Sequence, residues 1–187
     1  MGTQPAIRSA SACLVAVALA CPAWANHPGR VSFFNRSDTP LRLMPMPAPD
    51  HRPAPKLRAT CQELASGSVR SFRIPLGPKA PPPVDLAPES ILDLEWPPAG
   101  TDPGALTFEV WTVGAEARKV GSLAVQAAGE GAPVLQAILE PAFVVKQYPD
   151  RPWAVVVRSL EQVETARRQE AEARSTPAAR AGSCAVM

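Results

Sequence analysis

Two short stretches of alternating residues decide the fold: ILDLEW at residues 91–96 and LTFEVW at residues 106–111. In both, every second side chain is large and apolar, and a period of two is typical of a strand with one face in the core and one in water. The pattern predicts two half-buried β-strands and places Asp93 and Glu95 together on the solvated face. Paired carboxylates can catalyse, but in water they more often only solubilise a sheet.

Further apolar stretches predict the remaining strands, at residues 31–35, 41–44, 57–64, 69–74, 120–126, 134–140, 143–148 and 153–157. The 23 prolines cluster in the connections between them, which no helix can cross. Several short strands separated by turn signals indicate an all-β fold. We therefore expect an antiparallel β-sandwich, immunoglobulin-like or jelly-roll-like, over residues 26–158.

The C-terminal part of the sequence changes character. Ser159 and Gln162 have the spacing of a capping box, and two Glu–Arg pairs follow at the favourable i, i+4 spacing. These features predict a short charged helix at residues 159–174. Residues 175–187 are rich in Ala, Pro, Gly and Ser, which predicts a flexible tail.

The N-terminal part is typical of an export signal. Arg8 precedes an apolar stretch at residues 10–20, and Ala23-Trp24-Ala25 has the small-x-small pattern that signal peptidase accepts. The apolar stretch is too short to span a bilayer. We therefore expect residues 1–25 to be removed between Ala25 and Asn26, and the product to be periplasmic or secreted without a transmembrane segment.

An alternative uses Cys21, which follows Leu19-Ala20 at the end of the apolar stretch. A cysteine in that position can be lipidated and become the new N-terminus of an envelope lipoprotein. Ala18 stands where such signals usually carry a larger aliphatic residue. Simple cleavage is the first prediction, and a lipid anchor through Cys21 is its alternative.

The charge is balanced as a whole but uneven along the chain. With 19 basic and 17 acidic side chains, the net charge of +2 gives no bulk attraction to nucleic acid. Residues 26–79 carry nine basic and three acidic side chains, and residues 80–140 carry two basic and nine acidic ones. We expect the two regions to face each other within one domain.

Cys61 and Cys184 are the two cysteines outside the export signal. In an oxidising compartment they could form one disulfide, closing a loop of 123 residues (184 − 61) and stabilising the fold by about 5 kcal/mol. Cys61 could equally be a buried core thiol, because it alternates with Leu57 and Ala59. The sequence leaves both interpretations open.

Few residues outside the export signal are suited to catalysis or metal binding. Nucleophilic catalysis usually needs a histidine as base, and the available ones, His27 and His51, stand near the new N-terminus and in a proline-rich loop. We therefore predict no enzyme activity and no cofactor. A candidate Cu(I) site consists of Met44 and Met46, two residues apart, with His51.

The tripeptide Asn35-Arg36-Ser37 matches a glycosylation acceptor, which matters only in a eukaryotic secretory pathway. The function that the sequence favours is an exported binding or envelope-accessory module. Its partner would be a protein or another envelope component, and the sheet edges are the natural docking surface. A lipoprotein of the same fold and a periplasmic copper-binding protein are the two alternatives.

Overall fold

The structure, a computed structural model, describes residues 29–47, 56–75, 81–96, 105–127 and 132–175. Eleven strands and one helix follow one another within these ranges. They are β1 Arg30–Asn35, β2 Leu41–Pro45, β3 Lys56–Glu63, β4 Val69–Pro75, β5 Val84–Leu86, β6 Ser90–Glu95, β7 Leu106–Thr112, β8 Lys119–Ala127, β9 Pro133–Leu139, β10 Phe143–Tyr148, β11 Arg151–Ser159 and α1 Leu160–Ser175.

The strands form two sheets. The order is β10-β11-β1-β6-β3-β4 in the six-stranded sheet and β5-β2-β7-β8-β9 in the five-stranded sheet. Alternating apolar side chains from both sheets make one buried cluster, in which Phe33 and Leu92 belong to the first sheet and Phe108 and Leu123 to the second. The predicted all-β sandwich with a short C-terminal helix is confirmed.

One strand pair departs from the antiparallel arrangement. β1 and β11 run parallel, with Phe33 opposite Val155, and the other pairs among the described strands run antiparallel. Parallel neighbours need a long connection between them. That condition is met because nine strands separate β1 from β11, so the first and last described strands lie side by side within one sheet.

Each strand predicted from alternation is present, with its ends within two residues of the prediction. β5, Val84–Leu86, was missed because it has only three residues and follows three prolines. It is an edge strand, where prolines are tolerated, and it pairs with β2 through Leu41 opposite Leu86.

The predicted capping box begins α1. The Gln162 N–H donates to Ser159 Oγ at 3.4 Å, and the Ser159 N–H donates to Gln162 Oε1 at 3.3 Å. Every side chain from Glu164 to Arg174 is exposed, so only the first turn packs against the sheet. Among the described residues there is no helix with the length and apolar character needed to cross a membrane. Residues 176–187 of the predicted tail lie outside the described ranges.

The basic and acidic regions meet inside this one fold. Three ion pairs join residues 26–79 to residues 80–140: Arg36–Glu89, Arg42–Asp85 and Arg58–Glu95. The Arg42–Asp85 contact is bidentate, and it lowers the pKa of the Asp85 carboxyl. The two oppositely charged regions thus face each other within one fold, as predicted, and these ion pairs compensate part of the uneven charge.

Candidate functional site

Strand β4 is one edge of the six-stranded sheet. It pairs with β3, from Val69 opposite Gln62 to Pro75 opposite Lys56, and with no other described strand. Five of its seven side chains are exposed, and Val69 keeps 58% of its surface accessible. Such an edge presents a row of unpaired backbone N–H and C=O groups.

The hydrogen bonds of the β3–β4 hairpin identify the backbone groups that face outward. At the turn, the Glu63 N–H donates to the Ser68 carbonyl at 2.9 Å, and bonded and non-bonded pairs alternate along an antiparallel ladder. Every second residue of β4 therefore bonds to β3, and the residues between them direct their N–H and C=O groups to the open side. The outward residues of β4 are Val69, Ser71 and Arg73.

The other three sheet edges offer less free backbone. β5 has only three residues. On β9, the Leu135 carbonyl already accepts a hydrogen bond from Gln147 Nε2 at 2.7 Å, and β10 carries an irregularity between Gln147 and Tyr148. Short length, side-chain cover and bulges all hinder the addition of another strand. β4 is therefore the edge best suited to accept one.

Basic side chains surround the β4 edge. The β3–β4 hairpin, residues 56–75, carries four basic side chains and one acidic side chain, a net charge of +3. Arg58 and Arg73 lie directly opposite each other, and like charges in that arrangement destabilise a sheet. Arg58 has Glu95 of β6 at 3.7 Å, whereas Arg73 makes no ion pair with any described residue. Within the described part of the chain, the positive charge of Arg73 at this edge is therefore uncompensated.

Asp93 of β6 lies on the outer face of the six-stranded sheet, the face that also carries Arg58 and Arg73, but it is buried. The prediction of a solvated carboxylate pair is therefore wrong for this residue. It exposes 6% of its surface, because β6 lies between β1 and β3 and their side chains cover its outer face. The Ser32 hydroxyl donates to Asp93 Oδ1 at 2.5 Å. Burial raises the pKa of Asp93, and the Ser32 hydrogen bond and the Arg30 charge oppose that shift. Glu95, at the strand end, is exposed.

Cys61 lies on the inner face of β3 and exposes 1% of its surface. The Arg70 guanidinium of β4 approaches its Sγ at 4.0 Å. Burial raises the pKa of the Cys61 thiol, although the Arg70 charge acts in the opposite direction. These contacts fit a core thiol, and because Cys184 lies outside the described residues the disulfide stays a prediction.

Met44 lies on the outer face of β2 in the five-stranded sheet and Met46 follows the last residue of that strand; they expose 39% and 43% of their surfaces. Met44 lies opposite Glu109 of β7, whose carboxylate accepts the Trp111 indole N–H at 3.1 Å. The two methionine side chains are therefore accessible and two residues apart, at the end of β2. His51, the third predicted ligand, lies outside the described residues.

Asn35 organises a buried polar cluster that alternation could not predict. The residue is fully buried, and its Nδ2 donates to the carbonyls of Thr39, Leu86 and Ala87 at 3.1, 3.3 and 3.0 Å. Its Oδ1 accepts from the N–H and the hydroxyl of Ser37. The cluster ties the end of β1 to the chain around β5. The amide nitrogen that a glycan would modify is therefore inaccessible in the folded chain.

The remaining predicted site residues, Cys21, Ala25 and Asn26, lie outside the described residues, so processing and lipidation stay predictions. No protein-family model, no curated protein and no solved structure matches the chain.

Proposed function

We propose that this chain is an exported binding module that accepts an extended segment of a partner protein along the open edge of β4. The observation that carries the proposal is the row of outward backbone groups at Val69, Ser71 and Arg73, on an edge that no bulge and no side chain of the described residues closes. In strand addition, backbone hydrogen bonds supply affinity and the alternating side chains supply specificity.

The rest of β4 is suited to hold that edge in place. Ile74 exposes 1% of its surface, and Phe72 packs against the core, so the inward side chains anchor the strand. The side chains of the outward residues lie on the outer face, beside those of β3. Binding of a segment of about seven residues would therefore extend the sheet without disturbing the core.

A peptide-display selection tests this proposal. Random heptapeptides are selected on the purified chain and then measured against Ser71→Pro and Ser71→Ala. Proline removes the outward N–H of Ser71, which bonds nothing in β3, and alanine removes only the hydroxyl. We expect the selected peptides to keep their affinity for the alanine variant and to bind the proline variant about tenfold more weakly.

Amide hydrogen exchange of the β3 residues establishes whether the proline variant retains the hairpin. Equal affinity for the folded proline variant and the wild type would place the binding surface elsewhere. A selection that yields no binder would contradict strand addition at β4. If the hairpin has opened in the proline variant, the selected peptides are N-methylated on their backbone instead. This removes the N–H donors of the peptides and leaves the protein unchanged. Undiminished binding of the methylated peptides would overturn strand addition.

Export of the protein from the cytosol is a separate part of the proposal, and the N-terminal sequence supports it. We expect mass spectrometry of the natively processed product to find Asn26 as its first residue. A diacylated Cys21 would instead support the envelope lipoprotein of the same fold. Intact Met1 in product recovered from inside the cell would contradict export.

A periplasmic copper-binding function is the second candidate, supported by the exposure of Met44 and Met46, two residues apart. Thioethers are soft ligands that suit Cu(I). A competition titration with Cu(I) should show one tight site that is lost when both methionines are replaced by leucine and weakened in His51→Ala. Tight binding that survives the double replacement would remove this assignment.

A further inference from the structure

We infer that the segment received by β4 is acidic, with carboxylates opposite Arg73 and beyond it toward Pro75, and that it runs antiparallel to β4 because antiparallel pairing is the more stable per residue. This inference rests on the proposed strand addition and names the chemistry of the partner. The charge of the edge carries it. Lys56, Arg58 and Arg73 lie on the outer face of the hairpin, and a strand added to β4 would place every second side chain on that same face.

Arg73 is the centre of the argument. It faces Arg58 across the sheet, and neither Arg73 nor Lys56 makes an ion pair with any described residue. A like-charge pair opposes sheet formation, and Glu95 provides a carboxylate for Arg58 but not for Arg73. A carboxylate on the open side of Arg73 would offset that repulsion, whereas a basic or a neutral guest would not.

The inner side of the same edge sets a second requirement. Phe72 is only partly buried, although it packs against the core. In an antiparallel guest, the residue opposite Phe72 would direct its side chain to the inner face of the sheet. An apolar side chain there would cover the exposed part of the ring. The guest should therefore alternate acidic or polar residues with apolar ones at its N-terminal end.

Three capped synthetic heptapeptides test the charge requirement. Their sequences are Glu-Val-Glu-Val-Thr-Thr-Val, the same peptide with glutamine at both glutamate positions, and the same peptide with lysine there. In the antiparallel register, the two variable residues lie opposite Pro75 and Arg73. At low ionic strength we expect the acidic peptide to bind the purified chain about tenfold more tightly than the neutral one, and the basic peptide to bind most weakly. The preference should decrease as salt is added.

Charge variants of the protein provide the matched controls. Arg73→Gln should weaken the preference for the acidic peptide, and Arg73→Glu should weaken it further or reverse it, since Lys56 and Arg58 remain on the same face. Arg168→Glu changes the net charge by the same amount as Arg73→Glu on an exposed part of α1, and it should leave the preference unchanged. An equal effect in Arg168→Glu would assign the change to net charge and overturn the inference.

The outcomes separate this inference from the proposed function. Equal binding of all three peptides, with new exchange protection at Val69, Ser71 and Arg73, would leave strand addition standing and overturn the acidic partner. Tighter binding of the basic peptide would also overturn it. If none of the peptides binds while the selected peptides of the display experiment do, the acidic partner fails and strand addition stands.

Discussion

Replacing Asn35 by alanine tests the polar cluster that ties the end of β1 to the chain around β5. The side chain is fully buried and makes five hydrogen bonds. Its two amide hydrogens can satisfy two carbonyls at once, and each buried hydrogen bond contributes about 1 kcal/mol net. Truncation also leaves the Ser37 N–H without its acceptor, which costs about 1 to 2 kcal/mol. The expected loss in the free energy of unfolding is therefore about 3 to 4 kcal/mol.

The assay is urea unfolding followed by tryptophan fluorescence, with the free energy of unfolding extrapolated to water. Ser37→Ala is the matched control. It removes two contacts of the hydroxyl, to Asn35 Oδ1 at 2.6 Å and to the Thr39 carbonyl at 3.0 Å, but keeps the Ser37 N–H bonded to Asn35. We expect it to cost about 1 kcal/mol. Asn35→Asp should be at least as destabilising as alanine, because a carboxylate would face three carbonyl oxygens.

The result that would refute this reasoning is an Asn35→Ala variant that loses less than about 1 kcal/mol. Equal losses in Asn35→Ala and Ser37→Ala would also refute it, since the amide would then contribute nothing beyond the hydroxyl.

Three further predictions follow from buried or crowded positions. Burial raises the folded-state pKa of Asp93 above its value in the unfolded chain, so the free energy of unfolding of the wild type relative to Asp93→Asn should fall as pH rises from about 4 toward 7. Urea unfolding at several pH values measures this difference between the two proteins, and a difference that does not change with pH would contradict the prediction. A Cβ on Gly121 would lie 2.1 Å from the Ile138 carbonyl oxygen, so Gly121→Ala should lose about 3 kcal/mol of unfolding free energy. Gly114 has a φ of 140°, and a Cβ there would meet no atom within 4 Å, so Gly114→Ala should lower the free energy of unfolding by only about 1 kcal/mol. Equal losses in the two variants would contradict the close contact at Gly121. Alkylation of Cys61 in the folded chain should be roughly 100-fold slower than in the unfolded chain, and a comparable rate would contradict its burial.

The sequence predicts the strands well because apolar and polar residues alternate in most of them. β7 shows this most clearly: Leu106, Phe108 and Val110 are buried, and the residues between them are only partly so. β10 was predicted with the bounds that it has. The capping box at Ser159 was also predictable, because its two reciprocal hydrogen bonds depend only on local spacing.

Alternation fails where a strand lies in the middle of a sheet. From Leu92 to Glu95, β6 alternates apolar and polar residues, and yet Asp93 is buried, as is Ile91 on the same face. Their burial depends on having β1 on one side and β3 on the other, which is a long-range property. A period of two indicates which residues share a face, but it does not indicate how completely the neighbouring strands cover that face.

The candidate binding edge was predictable only as a class of surface. A β-sandwich with open sheets has edge strands, so docking at an edge could be expected from the fold class. Which strand forms the free edge depends on the sheet order, and the opposition of Arg58 and Arg73 depends on the register of the β3–β4 hairpin. Neither the sheet order nor the register can be predicted from the local sequence, because the pairing of strands depends on the packing of the whole domain.

Residue-resolved amide hydrogen exchange of the unbound chain tests the open β4 edge most directly. The N–H groups of Val69, Ser71 and Arg73 point away from β3 and toward no other described strand, whereas those of the intervening residues bond to β3. We predict that the outward amides exchange at least about 100-fold faster than those of Arg70, Phe72 and Ile74. Equal protection along the whole strand would mean that this edge is already occupied, and would contradict a docking site on β4.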